Sequence, residues 1–139
     1  MDGVNRRGLL RSSIPAISAV FGGGFLAACR EEPIRQPVTV SFVSRGSPSE
    51  RTQQIMRAAA ARGWTSRLMV APSPNRRGVV EAVNNTDGHN VVVRITYNSR
   101  EFTITYVSSI GLNYDGRQIH TYYNGQVERL EQQIMRESA

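Results

Sequence analysis

The chain has 139 residues, 40% of them hydrophobic, with one cysteine. All 17 basic residues are arginine, and they stand against 11 acidic residues for a net charge of +6. This is enough chain for one domain of ordinary size. A single cysteine excludes an internal disulfide framework, and scattered charge with no basic, aromatic-interleaved stretch excludes a nucleic-acid surface.

The first segment reads as a signal. Asn5-Arg6-Arg7-Gly8-Leu9-Leu10-Arg11 is a basic start, Ser12 to Phe25 is weakly apolar, and Leu26-Ala27-Ala28-Cys29 closes it with small residues. A membrane-spanning helix needs about 20 predominantly apolar residues. The stretch between Arg11 and Arg30 falls short of that and contains Pro15 and Gly22-Gly23-Gly24. A buried core helix is disfavoured by the same glycines, each costing roughly 1 kcal/mol against Ala. A basic start, a short apolar region and small residues at a cut are the parts of a cleaved export signal.

Leu26-Ala27-Ala28-Cys29 resembles the bacterial lipoprotein box, and Arg6-Arg7 with the apolar residues after it resembles the twin-arginine export motif. The plain alternative for the arginine pair is the basic start of a general secretory signal. The lipobox resemblance implies cleavage after residue 28, acylation of Cys29 and a domain tethered to the membrane in the periplasm. Stable anchoring follows from two or three acyl chains, each buried CH₂ contributing roughly 0.8 kcal/mol. Arg30 stands where an Asp marks inner-membrane retention in the best-known sorting pattern, which favours the outer membrane. Cys29 is thereby assigned a lipid, not a disulfide, a metal or a nucleophilic role.

Three segments are expected: signal peptide 1–28, lipidated tether 29–37 and a single domain 38–139. After cleavage 14 Arg face 10 acidic residues, a net +4 that suits anionic lipid headgroups or another anionic envelope component. Arg30 to Pro37 holds two prolines and two glutamates and is expected to be extended and mobile. Val38, Val40 and Phe42 alternate with polar residues, which predicts a strand. Ser47-Pro48-Ser49-Glu50 predicts a helix start, with Ser47 as N-cap, Pro48 at the first helical position and Glu50 completing a capping box. The helix continues through Ile55, Met56 and Ala59 to Arg62, and Gly63 supplies a left-handed stop.

Trp64 and Leu68-Met69-Val70 predict a strand, Ala71 to Asn75 a turn, and Gly78 to Val83 a second strand. Asn84 to Gly88 is expected to be a hairpin loop. Val91, Val93, Ile95 and Tyr97 alternate, Asn98 to Glu101 turns the chain, and Phe102, Ile104 and Tyr106 alternate again. Thr96, Thr103 and Thr105 point to a wetted sheet face. Ile119, Tyr123, Val127, Leu130 and Ile134 form one face of an amphipathic helix. The expected fold is α+β, an antiparallel meander with an N-terminal and a C-terminal helix on one face.

No strong catalytic motif is present. Gly22-Gly23-Gly24 lies in the signal. His89 and His120 lack metal-ligand spacing with Cys, Asp or Glu, so no metal and no cofactor is expected. Ser108 and Ser109 precede Asp115 and His120, but no nucleophile-elbow pattern surrounds them, and a turn is the plainer reading. The segment Ile119 to Asn124 is the most distinctive. Its tyrosines, His120 and Asn124 either line a binding surface with Arg117 or fasten the helix to the sheet.

Four pieces resemble a group of small bacterial lipoproteins with no assigned activity. They are Ala60-Ala61-Arg62-Gly63-Trp64, His89-x-x-Val92-Val93-x-Ile95-x-Tyr97, Phe102-x-Ile104-x-Tyr106-x-x-Ser109-x-x-Leu112-x-Tyr114, and Ile119-His120 followed by Tyr123-Asn124-x-x-Val127-x-x-Leu130. Gln126 replaces the aromatic usual two residues after the Asn. The resemblance implies a compact α+β lipoprotein domain and no reaction. The expectation is a non-enzymatic envelope binding or assembly factor, with Arg117, His120, Tyr122, Tyr123 and Asn124 as its candidate surface. The alternative is a small hydrolase using His120 with a nearby Ser or Asp.

Overall fold

The computed structural model describes residues 30–139, so the expectations for Arg6, Arg7 and Cys29 lie outside the described residues. Helix α1 (Pro48–Ala61) begins as its sequence dictates: Ser47 Oγ accepts from the Glu50 N–H at 3.2 Å, and Glu50 Oε2 accepts from the Ser47 N–H at 2.9 Å. This reciprocal pair satisfies two donors that a helix start leaves open. Arg62 caps the other end, and Gly63 follows at φ +79°, a conformation that is steep for any residue with a Cβ.

Strands β3 (Thr65–Val70), β4 (Gly78–Thr86), β5 (His89–Tyr97) and β6 (Glu101–Ile110) form an antiparallel meander, and β2 (Thr39–Ser41) pairs beside β6. The sheet order is β2-β6-β5-β4-β3. Its core face carries Val80 and Ala82 from β4, Val91, Val93, Ile95 and Tyr97 from β5, and Phe102 and Ile104 from β6, all buried. Tyr97 lies across Gly78 of the neighbouring strand, where any Cβ would overlap its ring. On the opposite face Glu81 sits between Arg67 and Arg94 in register, with ion pairs of 3.2 and 3.5 Å. Thr96 and Thr103 are half-buried and Thr105 is exposed on this face.

Helix α2 (Thr121–Glu137) buries Tyr123, Val127, Leu130 and Ile134, and α1 buries Ile55, Ala58 and Ala59. The helices pack on each other and share the core with the sheet, so the α+β architecture agrees with the sequence pattern.

Three local expectations are corrected. The β4–β5 connection is not a five-residue loop. Asp87 and Gly88 alone close it, both at positive φ (49° and 80°), and Thr86 already pairs with His89. Two left-handed residues make the tight turn whose twist suits a hairpin, so Asn84, Asn85 and Thr86 are released to extend the strand. Ser108 and Ser109 lie in β6, not in a turn. A bulge opposite Val92 and Val93 absorbs Val107 and lets the ladder run on to Ile110.

The third correction concerns the segment 30–37. It is extended, but residues 31–37 are docked and belong to the compact unit Glu31–Ala139, so the domain starts before residue 38. Strand β1 (Glu31–Pro33) pairs antiparallel with β7 (Gln118–His120) in a second, two-stranded sheet. Ile34 donates its N–H to the Arg117 carbonyl at 2.9 Å, and its side chain packs on the core.

Candidate functional site

The residues singled out in the sequence gather where β1, β7 and the first turn of α2 meet. His120 ends β7 and caps α2: its Nδ1 accepts from the Tyr122 N–H at 3.0 Å. Asx and Ser/Thr oxygens usually fill this role. Here the imidazole does so, which commits Nδ1 as an acceptor and leaves Nε2 to carry the ring proton.

The hairpin tip brings His89 against this cap. The His89 ring lies 5.7 Å from that of His120 and 4.8 Å from that of Tyr122. Tyr122 Oη donates to Asn84 Oδ1 at 3.1 Å, and Thr86 Oγ1 donates to the same oxygen at 3.0 Å. Asn84 is buried, and its Nδ2 donates to Gln126 Oε1 at 3.4 Å. Gln126 therefore serves as an acceptor for a buried amide.

The expected surface divides. Arg117 is exposed, and His120, Tyr122 and Asn124 are half-buried. Tyr123 is 1% exposed and is corrected to a core residue. Helical periodicity explains this: Tyr123 lies on the same face as Val127, Leu130 and Ile134, and its ring meets Tyr106 edge-on at 5.4 Å. Burial, reinforced by Tyr106, pushes its hydroxyl well above the ordinary tyrosine range. Asn124 is occupied by the N-terminal segment. Its Oδ1 accepts from the Arg35 N–H at 2.8 Å, and its Nδ2 donates to Pro33 O at 2.9 Å and to Glu32 Oε2 at 2.5 Å. Arg35 completes the clasp with a bidentate pair to Glu131, both contacts at 3.0 Å. That carboxylate raises the Arg35 pKa above its ordinary value.

Two of the groups named in the hydrolase reading, Asp115 and Ser109, make hydrogen bonds within the fold. Asp115 Oδ1 accepts from the Arg117 and Gln118 N–H groups at 2.8 and 2.7 Å. These bonds hold its carboxyl below the usual range. Ser109 Oγ pairs with Tyr106 Oη at 2.9 Å. Two histidines meet as rings, yet no group of three His, Cys, Asp or Glu suited to a metal occurs among the described residues.

Sequence reasoning missed one charged group. Arg51 is 1% exposed, within the α1 stripe that also buries Ile55, Ala58 and Ala59. An arginine at i with apolar residues at i+4, i+7 and i+8 was the available signal. Comparison with family models, curated proteins and solved structures finds no match to this chain.

Proposed function

We propose that this protein is a lipid-anchored binding or assembly module of the bacterial envelope, held through Cys29 with its domain in the periplasm. The observation that carries this reading is the distance in sequence between the lipobox-like cysteine and the fold. Strand β1 begins at Glu31, two residues after Cys29. Two residues span at most about 7 Å. An acyl chain on Cys29 therefore keeps the β1–β7 ladder next to the bilayer, with exposed Arg30 and Arg117 available to anionic headgroups. Arg30 after the cysteine favours the outer membrane over the inner one.

A non-enzymatic role is favoured over the hydrolase alternative by how His120, Asp115 and Ser109 are used. His120 Nδ1 and Asp115 Oδ1 accept from backbone N–H groups and Ser109 Oγ pairs with Tyr106 Oη, so the hydrogen bonds these three make among the described residues do not join them to one another. A serine nucleophile needs a base within hydrogen-bond reach, and that base needs an orienting acid. The partner class is another envelope protein or an anionic envelope component.

Metabolic labelling with radioactive palmitate tests the anchor. Label is expected in the wild-type chain, and Cys29→Ala is expected to abolish it and release the protein from membranes. A Cys29→Ala chain that still fractionates with membranes refutes the lipid anchor.

A further inference from the structure

A cavity of about 580 Å³ lies away from the site above, lined by Phe42, Ser44, Arg45, Gly46, Arg51 and Arg100 among others. Its floor is the buried guanidinium of Arg51. Nε donates to the Ser99 carbonyl at 2.9 Å, Nη1 to Gln54 Oε1 at 2.9 Å, and Nη2 to the Ser44 carbonyl. The Phe42 ring lies 4.1 Å from Cζ. Every one of these partners is neutral. A Cβ on Gly46 would come within 2.9 Å of Arg51 Cζ, so the glycine lets the guanidinium sit close against this wall.

Burying a charge without a counter-charge is costly. Desolvation accordingly pushes the Arg51 pKa down, with Glu50 opposing it. Among the described residues, the ion pairs are made by Arg35, Arg57, Arg67, Arg77 and Arg94, and none by Arg45, Arg51 or Arg100. Glu50, the acid beside Gly46, spends Oε2 on the capping box. Three arginines against one glutamate leave the cavity at net +2. As a clasp between the Ser44 and Ser99 loops, Arg51 accounts for its own three bonds. That role leaves unexplained why two further unpaired arginines border the same cavity.

We propose that this cavity binds a phosphate monoester, held by Arg45 and Arg100 over the buried charge of Arg51. Such a group carries about −1.5 to −2 charge near neutral pH, matching the cavity. Guanidinium forks pair two donors with two phosphate oxygens, and Phe42 and Val43 offer an apolar wall to the remainder of the ligand. The group could be carried by a soluble molecule or by a lipid, and the length of α2 separates the two. Its C-cap Ser138 meets this cavity, accepting from the Ser44 N–H at 3.1 Å, whereas Asn124 in its first turn meets Glu32 and Pro33 of β1. Seventeen helical residues span about 25 Å. The anchored end of the fold and the cavity thus lie at opposite ends of α2, which favours a soluble ligand, and competition by lipid vesicles tests that choice. The choice of source rests on the proposed anchor; the site does not.

Isothermal titration of the full chain in non-ionic detergent with glycerol 3-phosphate, and with glycerol as control, tests the site. Saturable binding of the phosphate alone is expected. Arg45→Ala with Arg100→Ala should weaken it at least tenfold at unchanged Tm, and Arg45→Ala alone replaces the pair if the pair lowers Tm. Absence of saturable binding, or wild-type affinity in these variants, overturns the site. Vesicles containing phosphatidic acid, a lipid phosphate monoester, should not compete; arginine-dependent competition would overturn the soluble source. Palmitate labelling is independent of these heats, so failure of the anchor and failure of the site are distinguishable.

Discussion

Asn124 grips the backbone of Arg35: its Oδ1 accepts from the Arg35 N–H at 2.8 Å, while its Nδ2 donates to the carbonyl of Pro33 at 2.9 Å. One amide side chain at the start of α2 thus closes over the segment that leads into the fold. The contact joins positions 89 apart in sequence, and it turns a Pro-containing stretch into a second small sheet.

Asn124→Ala should release this segment. Loss of hydrogen bonds to partly buried backbone groups is expected to cost about 1–3 kcal/mol. Hydrogen exchange should accelerate at residues 31–35 and remain slow in β4 and β5. Uniform acceleration across the sheet would mean that the segment and the core unfold as one unit.

Leu130→Ala should cost about 2–5 kcal/mol in denaturant unfolding, the usual range for removing a fully buried leucine. Leu130 is 0% exposed and lies between Val127 and Ile134 on the α2 face. A change below about 0.5 kcal/mol is typical of surface positions and would place this face outside the core.

Tyr122 and Arg117 should separate cleanly. Tyr122→Phe keeps the ring against His89 and loses the bond to Asn84, whose Oδ1 still accepts from Thr86. The expected cost is about 1 kcal/mol. Arg117→Ala should stay within about 0.5 kcal/mol of wild type, because its side chain is exposed. If the double variant Tyr122→Ala, Arg117→Ala loses envelope crosslinks at unchanged Tm, these residues form a recognition surface. A fall of several degrees with crosslinks retained assigns them to fastening the helix.

Asp115 should titrate below 3.8, the ordinary value for its type, since two backbone N–H groups donate to its ionised carboxyl. A folded pKa below the unfolded one contributes stability that is complete above about pH 4 and is lost as pH falls through the lowered value. Carbon-13 titration of the carboxyl measures this directly. A midpoint at or above 3.8 would show that the turn is not formed in solution.

The candidate site was legible only in part. His120 and Asn124 were visible as distinctive residues, but their partners, Tyr122 N–H for one and the Pro33–Arg35 backbone for the other, were not. Tyr123 belonged to two patterns at once, the distinctive segment and the apolar stripe. The stripe prevailed because a 3.6-residue period aligns it with Val127 and Leu130.

What the sequence alone determined is what depends on near neighbours. The Ser47–Glu50 box, the Gly63 stop, the alternation from Val91 to Tyr106 and the α2 stripe all reflect spacings of a few residues, where backbone geometry dictates which groups meet. Tertiary structure decided what joins distant segments. Strands β1 and β7 have three residues each, too few to show a period, and they exist because they pair with each other. The bulge at Val107 is a property of two strands together. The burial of Arg51 required the loops at Ser44 and Ser99 to close over it, and the meeting of His89 with His120 required the hairpin tip to reach the start of α2. Each such contact depends on chain closure over many residues, and no local spacing encodes it.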